Sequence, residues 1–322
     1  MPSRIGILIV QRSAKSSEPI RAMLECYGFN DIEQLHDARA ALRRICDRSF
    51  ALVICDWHNI ESELMLRYSE QEKSAPRRAY ARRTARLMKD FEQRALSEFD
   101  AHIAVSERDA EALRSVNTSA KVFVIENGVD SSYYVSEGSG SLARRRIVFV
   151  GSMDYHANVE GVVRFARNVW PAVHQQKPEL VFTIVGKDPA PAVRELSSIK
   201  GIEVTGTVAD VRPYYREAVA AIVPLNVGGG SRLKILEAMA AAVPVVSTTL
   251  GAEGLHVRDG ENILIADGED GLPKAIIDLV NDEKLRAQLV SGGHALVAGR
   301  YDWAQLGAKL FACYQELLSA RG

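Results

Sequence analysis

The stretch GGGSRLKILEAMAAAVPVVSTT (residues 228–249) sets three glycines, an arginine and a lysine directly before an alanine-rich segment of helical character, and an apolar run directly after it. Residue types in this order can hold phosphate. Glycine lets backbone N–H groups reach phosphate oxygens with no side chain in the way. A helix N-terminus adds unpaired donors and the positive end of its dipole. Gly229 and Gly230 supply the bare backbone, Arg232 can fork onto two oxygens, and Lys234 adds a point charge. Glu237, five residues beyond Arg232, can accept hydrogen bonds from sugar hydroxyls. The bland alternative is structural: glycines that make a turn, cations that face water, and a glutamate placed early in a helix for its dipole. The spacing is neither GxGxxG nor GxxxxGK[ST], so neither a dinucleotide nor a P-loop nucleotide is specifically indicated.

The elements that must carry this turn are legible as an alternation. Short β-branched runs at 5–10, 51–57, 101–106, 121–127, 146–152, 181–187, 202–207, 220–225 and 244–249 are separated by segments of helical period such as NVEGVVRFARNVWPAVHQQ. Runs apolar on both faces and separated by helices predict parallel sheets covered on both sides. The expected fold class is α/β, with two Rossmann-like parallel-sheet domains facing a cleft and the first of them shortened or hybrid. Ligands in such sheets collect beyond the carboxyl ends of the strands, which is where 228–234 falls after the run 220–225. A break near 128–145, GVDSSYYVSEGSGSLARRR, reads as a linker. The domains are therefore expected at 1–130 and 145–305, with a last helix at 306–322 that can return to the first.

The totals exclude several classes. The 322 residues are 47% hydrophobic and 25% charged, with a net charge of -1, so no global field draws the chain to nucleic acid. Cys26, Cys46, Cys55 and Cys313 show no CxxC spacing, which argues against a zinc site and for a reducing compartment. No apolar run approaches the ~18 residues of a membrane span. The opening MPSRIGILIVQRS reads as a first strand rather than a signal peptide, so a cytoplasmic protein is expected. The basic residues cluster in 67–94, where Arg77, Arg78, Arg82, Arg83, Arg86 and Lys89 stand on one helix-prone stretch. That stretch is either a solvated helical face or an amphipathic surface for anionic lipid, which would bring the protein to the inner membrane face.

The second half resembles the C-terminal domain of a family 4, GT-B-fold glycosyltransferase. The resemblance rests on FVGSMDYHANVEGVVRF (149–165), FTIVGKDP (182–189), GIEVTGTVADVRPYYREA (201–218), PLNVGGGSRLKILEAMAAAVPVVSTTLGAEGL (224–255) and ENILIADGED (261–270), in the family's order over roughly 145–320. AHIAVSERDAEAL (101–113) and VIENGVDSSYY (124–134) are similar to the end of the family's first domain and its crossover. HNIESELMLRYSEQE (58–72) looks like a bacterial subgroup linked to exopolysaccharide synthesis. The resemblance implies a nucleotide-sugar donor, base unspecified, and a saccharide or polyprenyl-linked acceptor. It implies retention of configuration and neither cofactor nor metal. Gly151 and Ser152 would face the diphosphate, and Arg232 and Lys234 would neutralise it. Glu237 matches the second acid of the E-x7-E motif and would touch the donor ribose. The first acid falls at Gly229 and is absent. Leu250, Gly251, Ala252 and Glu253 would line the sugar and phosphate end, and Lys187 and Val208 the base. His58, the counterpart of a histidine that orients the donor sugar, joins Glu237 as a catalytic candidate. Glu61 is a weaker one, and His156 is a residue that shapes the loop.

The first 57 residues depart from the family and resemble half of a response-regulator receiver domain, with Asp56 at the phosphoacceptor position. The acidic pair such a domain uses for Mg²⁺ is replaced by Gln11 and Arg12, so no phosphorylation is expected. Three functions follow in order: a working transferase; a nucleotide-sugar-binding protein whose transfer is impaired by a truncated acceptor domain; a receiver-linked regulatory protein.

Overall fold

The computed structural model of the chain describes residues 6–10, 31–35, 53–134, 145–227 and 232–320. Gln11, Arg12, Gly229 and Gly230 lie outside the described residues. The chain divides into two compact units, Met1–Glu126 with Ala304–Gly322, and Asn127–Trp303.

In the first unit β1 (Gly6–Val10) pairs in parallel with β2 (Asp31–Leu35). β3 (Ile54–Trp57), β4 (Ala101–Ala104) and β5 (Val122–Val124) form a second parallel sheet in that order. Between β3 and β4 the chain makes a helical hairpin, α1 (Glu61–Gln71) and α2 (Ala75–Glu98). Pro76 opens α2, where a missing N–H costs nothing. One side of α2 buries Ala81, Ala85, Ala95 and Leu96. Glu92 is buried among them because Ser62 satisfies it: the Ser62 backbone N–H donates to Oε1 at 3.0 Å and its hydroxyl to Oε2. α3 (Glu107–Val116) starts on Ser106, whose hydroxyl accepts the Asp109 N–H at 3.1 Å. The C-terminal helix (Trp303–Ser319) packs Cys313 and Leu317 against Ala101, and Lys309 pairs with the buried Glu126 at 3.1 Å.

Among the described residues the second unit holds six parallel strands: β6 (Arg146–Val150), β7 (Val181–Val185), β8 (Ile202–Gly206), β9 (Ala218–Val223), β10 (Val245–Ser247) and β11 (Leu264–Ile265). Their order is β8-β7-β6-β9-β10-β11. The chain therefore winds outward from β6 in one direction and then, from β9, in the other. The crevice beyond β6 and β9 is the switch point at which such sheets bind ligands. Arg146 braces the opposite ends of the strands, reaching Glu217 and Thr183, each at 2.7 Å, and Glu203. β9 is shifted two residues earlier than the expected run 220–225, and β11, two residues long, has no counterpart among the expected strands.

The expected linker is structured at its start. Val129 is buried and hydrogen-bonds in register with Tyr301 and Trp303, and α4 (Ser131–Tyr134) follows. Ser131 gives α4 its anchor, with its N–H donating to Asp302 at 3.1 Å and its hydroxyl to the same carboxylate.

Candidate functional site

The strand β6 ends in Val150, and Gly151 and Ser152 turn the chain toward α5 (His156–Arg164). The end of β9 leads through Pro224 and Leu225 to α6 (Leu233–Ala240), which starts on Arg232. Leu, Lys, Ile, Glu, Met and Ala make α6 a strong helix former. It buries Ile235, Leu236, Ala238, Met239 and Ala240 in the core. It stops at Ala242, whose φ of 55° reverses the chain while the Val243 N–H closes back onto the Ala238 carbonyl at 2.9 Å. Pro244 then starts β10 at once. The helix is thus held rigidly with its first turn over the switch point.

On its first two turns stand three ionisable side chains. Arg232 is buried and donates from Nη2 to the Leu250 carbonyl at 2.9 Å, which ties the start of α6 to the 250–253 loop. Lys234 is half-buried. Its ammonium lies 4.5 Å from the centre of the Phe149 ring and donates to Asn158 Oδ1 at 2.5 Å. Burial first, and Arg232 beside it, push the Lys234 ammonium down to about 7. Glu237, one turn further, has its carboxyl pushed up by burial. Hydrogen bonding from Tyr134 and the Lys234 charge pull it back. The buried Tyr215 hydroxyl acts on the same carboxylate without a hydrogen bond of regular geometry.

The 250–253 loop packs without slack. A Cβ on Gly251 would stand 2.5 Å from both the Ser247 hydroxyl and the Val223 carbonyl, and the Gly251 N–H donates to the Thr248 hydroxyl at 2.9 Å. Ala252 is buried and Glu253 half-buried. Ser152 donates its hydroxyl to Asp154 at 2.6 Å, and its carbonyl accepts the Asn158 amide at 2.8 Å. Arg232, Lys234 and Glu237 therefore share one helix end, with Gly151 and Ser152 beside Lys234 and the 250–253 loop beside Arg232.

The sequence profile described as "Glycosyl transferases group 1" matches residues 144–282, and the profile described as "Glycosyltransferase Family 4" matches residues 31–133. The chain belongs to the family 4 glycosyltransferases of GT-B fold. The first-unit match starts at residue 31, upstream of the resemblance expected from residue 58. This chain is 28% identical over 182 residues to a phosphatidyl-myo-inositol mannosyltransferase of Mycolicibacterium smegmatis, covering 55% of this chain and 46% of the relative. The chain spans about half the length of the curated relatives it matches. Among solved structures, sucrose-phosphate synthase from Thermosynechococcus elongatus matches with a TM-score of 0.67 at 19% identity, over 95% of this chain and 78% of that one. Anabaena HepE in complex with UDP-glucose matches with a TM-score of 0.63 at 16% identity, over 95% and 84%. At these identities the solved structures establish the fold.

The remaining expected site residues are more scattered. Lys187 follows β7 with its side chain exposed, and its carbonyl accepts the Met153 N–H at 2.9 Å. Val208 lies half-buried beyond the end of β8. His58 stands exposed at the carboxyl end of β3, in the first unit, with Nε2 at 3.6 Å from Asp56 Oδ2. Glu61 is exposed at the first turn of α1, and His156 is exposed at the start of α5 with its ring against Tyr155. Burial pushes the Cys55 and Cys313 thiols up to about 12, which disfavours the nucleophilic thiolate. Sequence reasoning missed Asn158, Tyr134 and Tyr215. Asn158 lies inside a quoted motif, but an asparagine at a helix start carries no signal of chemistry by itself. The tyrosines meet Glu237 only through the fold.

Proposed function

We propose that the protein transfers a sugar from a nucleotide-diphosphate sugar to a saccharide or lipid-linked acceptor in polysaccharide biosynthesis, with retention of configuration and without a metal. The observation that carries this reading is the juxtaposition of two cations, Arg232 and Lys234, at a helix N-terminus over the switch point of a parallel sheet. Negative charge grows on the departing diphosphate, and preorganised cations and helix N–H groups stabilise such charge where it develops. In this reading Gly151, Ser152, Gly229 and Gly230 give backbone room to the diphosphate, Arg232 and Lys234 neutralise it, and Glu237 takes the ribose hydroxyls. Gly251, Ala252 and Glu253 border the sugar, and Lys187 and Val208 the base. His58 is the catalytic histidine of the first unit. The UDP-glucose bound to HepE supports a nucleotide-sugar donor, and the phosphatidyl-myo-inositol acceptor in the mycobacterial relative's name supports a lipid-linked acceptor.

No helix among the described residues is long and apolar enough to cross a membrane. Membrane contact would fall to α2. Tyr80, Leu87 and Phe91 are 73%, 60% and 64% exposed, and they follow one another along one side of the helix with Arg77, Arg83 and Arg94 about them. Apolar side chains between cations suit an anionic membrane surface, here the cytoplasmic face of the inner membrane.

The test is a panel of UDP-, GDP- and other nucleotide-sugars in thermal-shift titrations, since a bound donor raises stability by mass action. Nucleotide diphosphate release is then followed with and without saccharide acceptors. Failure of every nucleotide-sugar to shift the transition would overturn the reading; binding without acceptor-dependent turnover would leave a binding protein in place of a transferase.

A further inference from the structure

Asn158 stands where the first strand's turn meets the cationic helix end, and both halves of its amide are in use. Nδ2 donates to the Ser152 carbonyl at 2.8 Å, and Oδ1 accepts from Lys234 Nζ at 2.5 Å. The first bond orients the second, because an amide whose nitrogen is engaged must present its oxygen on the other side. The residue is buried, and it sits against a glycine for a reason of space: a Cβ on Gly151 would stand 2.9 Å from Asn158 Nδ2. Beneath the ammonium the Phe149 ring, 4.5 Å away, closes off the apolar side. Lys234 is thus held by an uncharged acceptor and against a ring face, neither of which cancels its charge.

We propose that Asn158 is a positioning residue for the donor's diphosphate, acting through Lys234: it holds the ammonium beside the Gly151–Ser152 turn without neutralising it. The inference rests on the reading that this site binds the diphosphate of a nucleotide-sugar. The choice of amide is what matters chemically. A carboxylate at this position would hold Lys234 as firmly, but its charge would cancel the cation and repel phosphate. An apolar residue would leave the Ser152 carbonyl and the ammonium short of a partner, and Lys234 would turn elsewhere.

The test is calorimetric titration of the full chain with UDP and with GDP, on the wild type, Asn158→Leu, Lys234→Met and the double variant, each checked by its melting transition. If Asn158 acts through Lys234, Asn158→Leu weakens binding of the preferred nucleotide by about tenfold or more, the scale of one hydrogen bond to a charged group. The double variant then binds no worse than Lys234→Met alone. Wild-type affinity in Asn158→Leu, or an equal loss in the presence and absence of Lys234, would overturn the proposal. Should Asn158→Leu fail to fold, Asn158→Asp keeps the shape and the acceptor. It is expected to bind at least tenfold more weakly, and unchanged or tighter binding would overturn the proposal as well. A wild type that binds neither UDP, GDP nor any other nucleoside diphosphate would overturn the donor site itself, which a weak Asn158 effect in a nucleotide-binding wild type would not.

Discussion

Gly186 and Gly151, at the ends of neighbouring strands β7 and β6, face each other so closely that a Cβ on Gly186 would stand 1.7 Å from the Gly151 carbonyl oxygen. The Gly151 N–H is itself held by the Val185 carbonyl at 3.0 Å. The turn proposed to meet the diphosphate therefore has its position set from behind. Gly186→Ala has to move backbone, and Gly151 moves with it. The variant is expected to lose nucleotide affinity by about tenfold or more and to be destabilised by about 1–3 kcal/mol, the cost of overpacking. Calorimetric titration with UDP and GDP together with a urea melt measures both; wild-type affinity in a folded Gly186→Ala would show that the turn does not contact the ligand.

Arg232 tests the cationic end more directly. Its Nη2 bond to Leu250 orients the guanidinium and restrains the 250–253 loop. Arg232→Ala is expected to lower donor affinity by about 1.5–3 kcal/mol, the worth of a hydrogen bond to a charged group. Arg232→Lys should recover part of the charge and none of the fork. Equal affinities in wild type and Arg232→Ala would place the phosphates elsewhere.

The Lys234 ammonium gives the fold a pH dependence with a definite sign. Its folded-state value is about 7, against about 10.4 in an unfolded chain. Between these two values the unfolded chain holds a proton that the folded one has released, so stability rises with pH across the window and the cost of the buried charge is complete below it. Lys234→Met should then melt higher than wild type near about pH 6 and at the same temperature near about pH 10. The groups facing this ammonium are Arg232 and Glu237, with the Tyr134 and Tyr215 hydroxyls held above their ordinary range and so uncharged. A bound diphosphate restores the proton. UDP binding near about pH 8 should take up a proton, seen as a binding enthalpy that varies with the buffer's ionisation enthalpy and ceases to vary in Lys234→Met. A wild-type enthalpy independent of buffer would contradict this.

On α2, replacing both Leu87 and Phe91 by glutamate should abolish sedimentation with vesicles containing anionic lipid while leaving nucleotide affinity in solution intact, since both side chains are exposed and lie in the first unit. Arg83→Ser with Arg94→Ser should weaken the same sedimentation and remove its salt dependence. Vesicle binding equal to wild type in both variants would return the arginine cluster to a solvated face.

Much of the architecture was legible in one dimension. Strand runs such as RIVFV and VFTIV are apolar on both faces, which only a sheet covered on both sides accommodates, and the glycine-rich stretch before a strong helix former pointed to a candidate ligand site. Boundaries were less legible. Gly128 through Tyr134 reads as linker because Gly, Asp and Ser fill more than half of it, yet Asp302 and Trp303, far along the chain, recruit it into the second unit. Local composition cannot register a partner that distant.

The site divides in the same way. Residue type alone determined that Arg232 and Lys234 stand at the start of a helix and that Gly151 stands at the end of a strand run, since those statements concern neighbours in the chain. Tertiary structure decided that Asn158 links Lys234 to the Ser152 carbonyl, that Tyr134 shares Glu237, and that the Lys234 ammonium lies near neutrality. The physical reason is that a pKa and a side chain's direction are set by what burial removes and by which charges stand within a few ångströms, and both depend on segments the chain brings together only on folding.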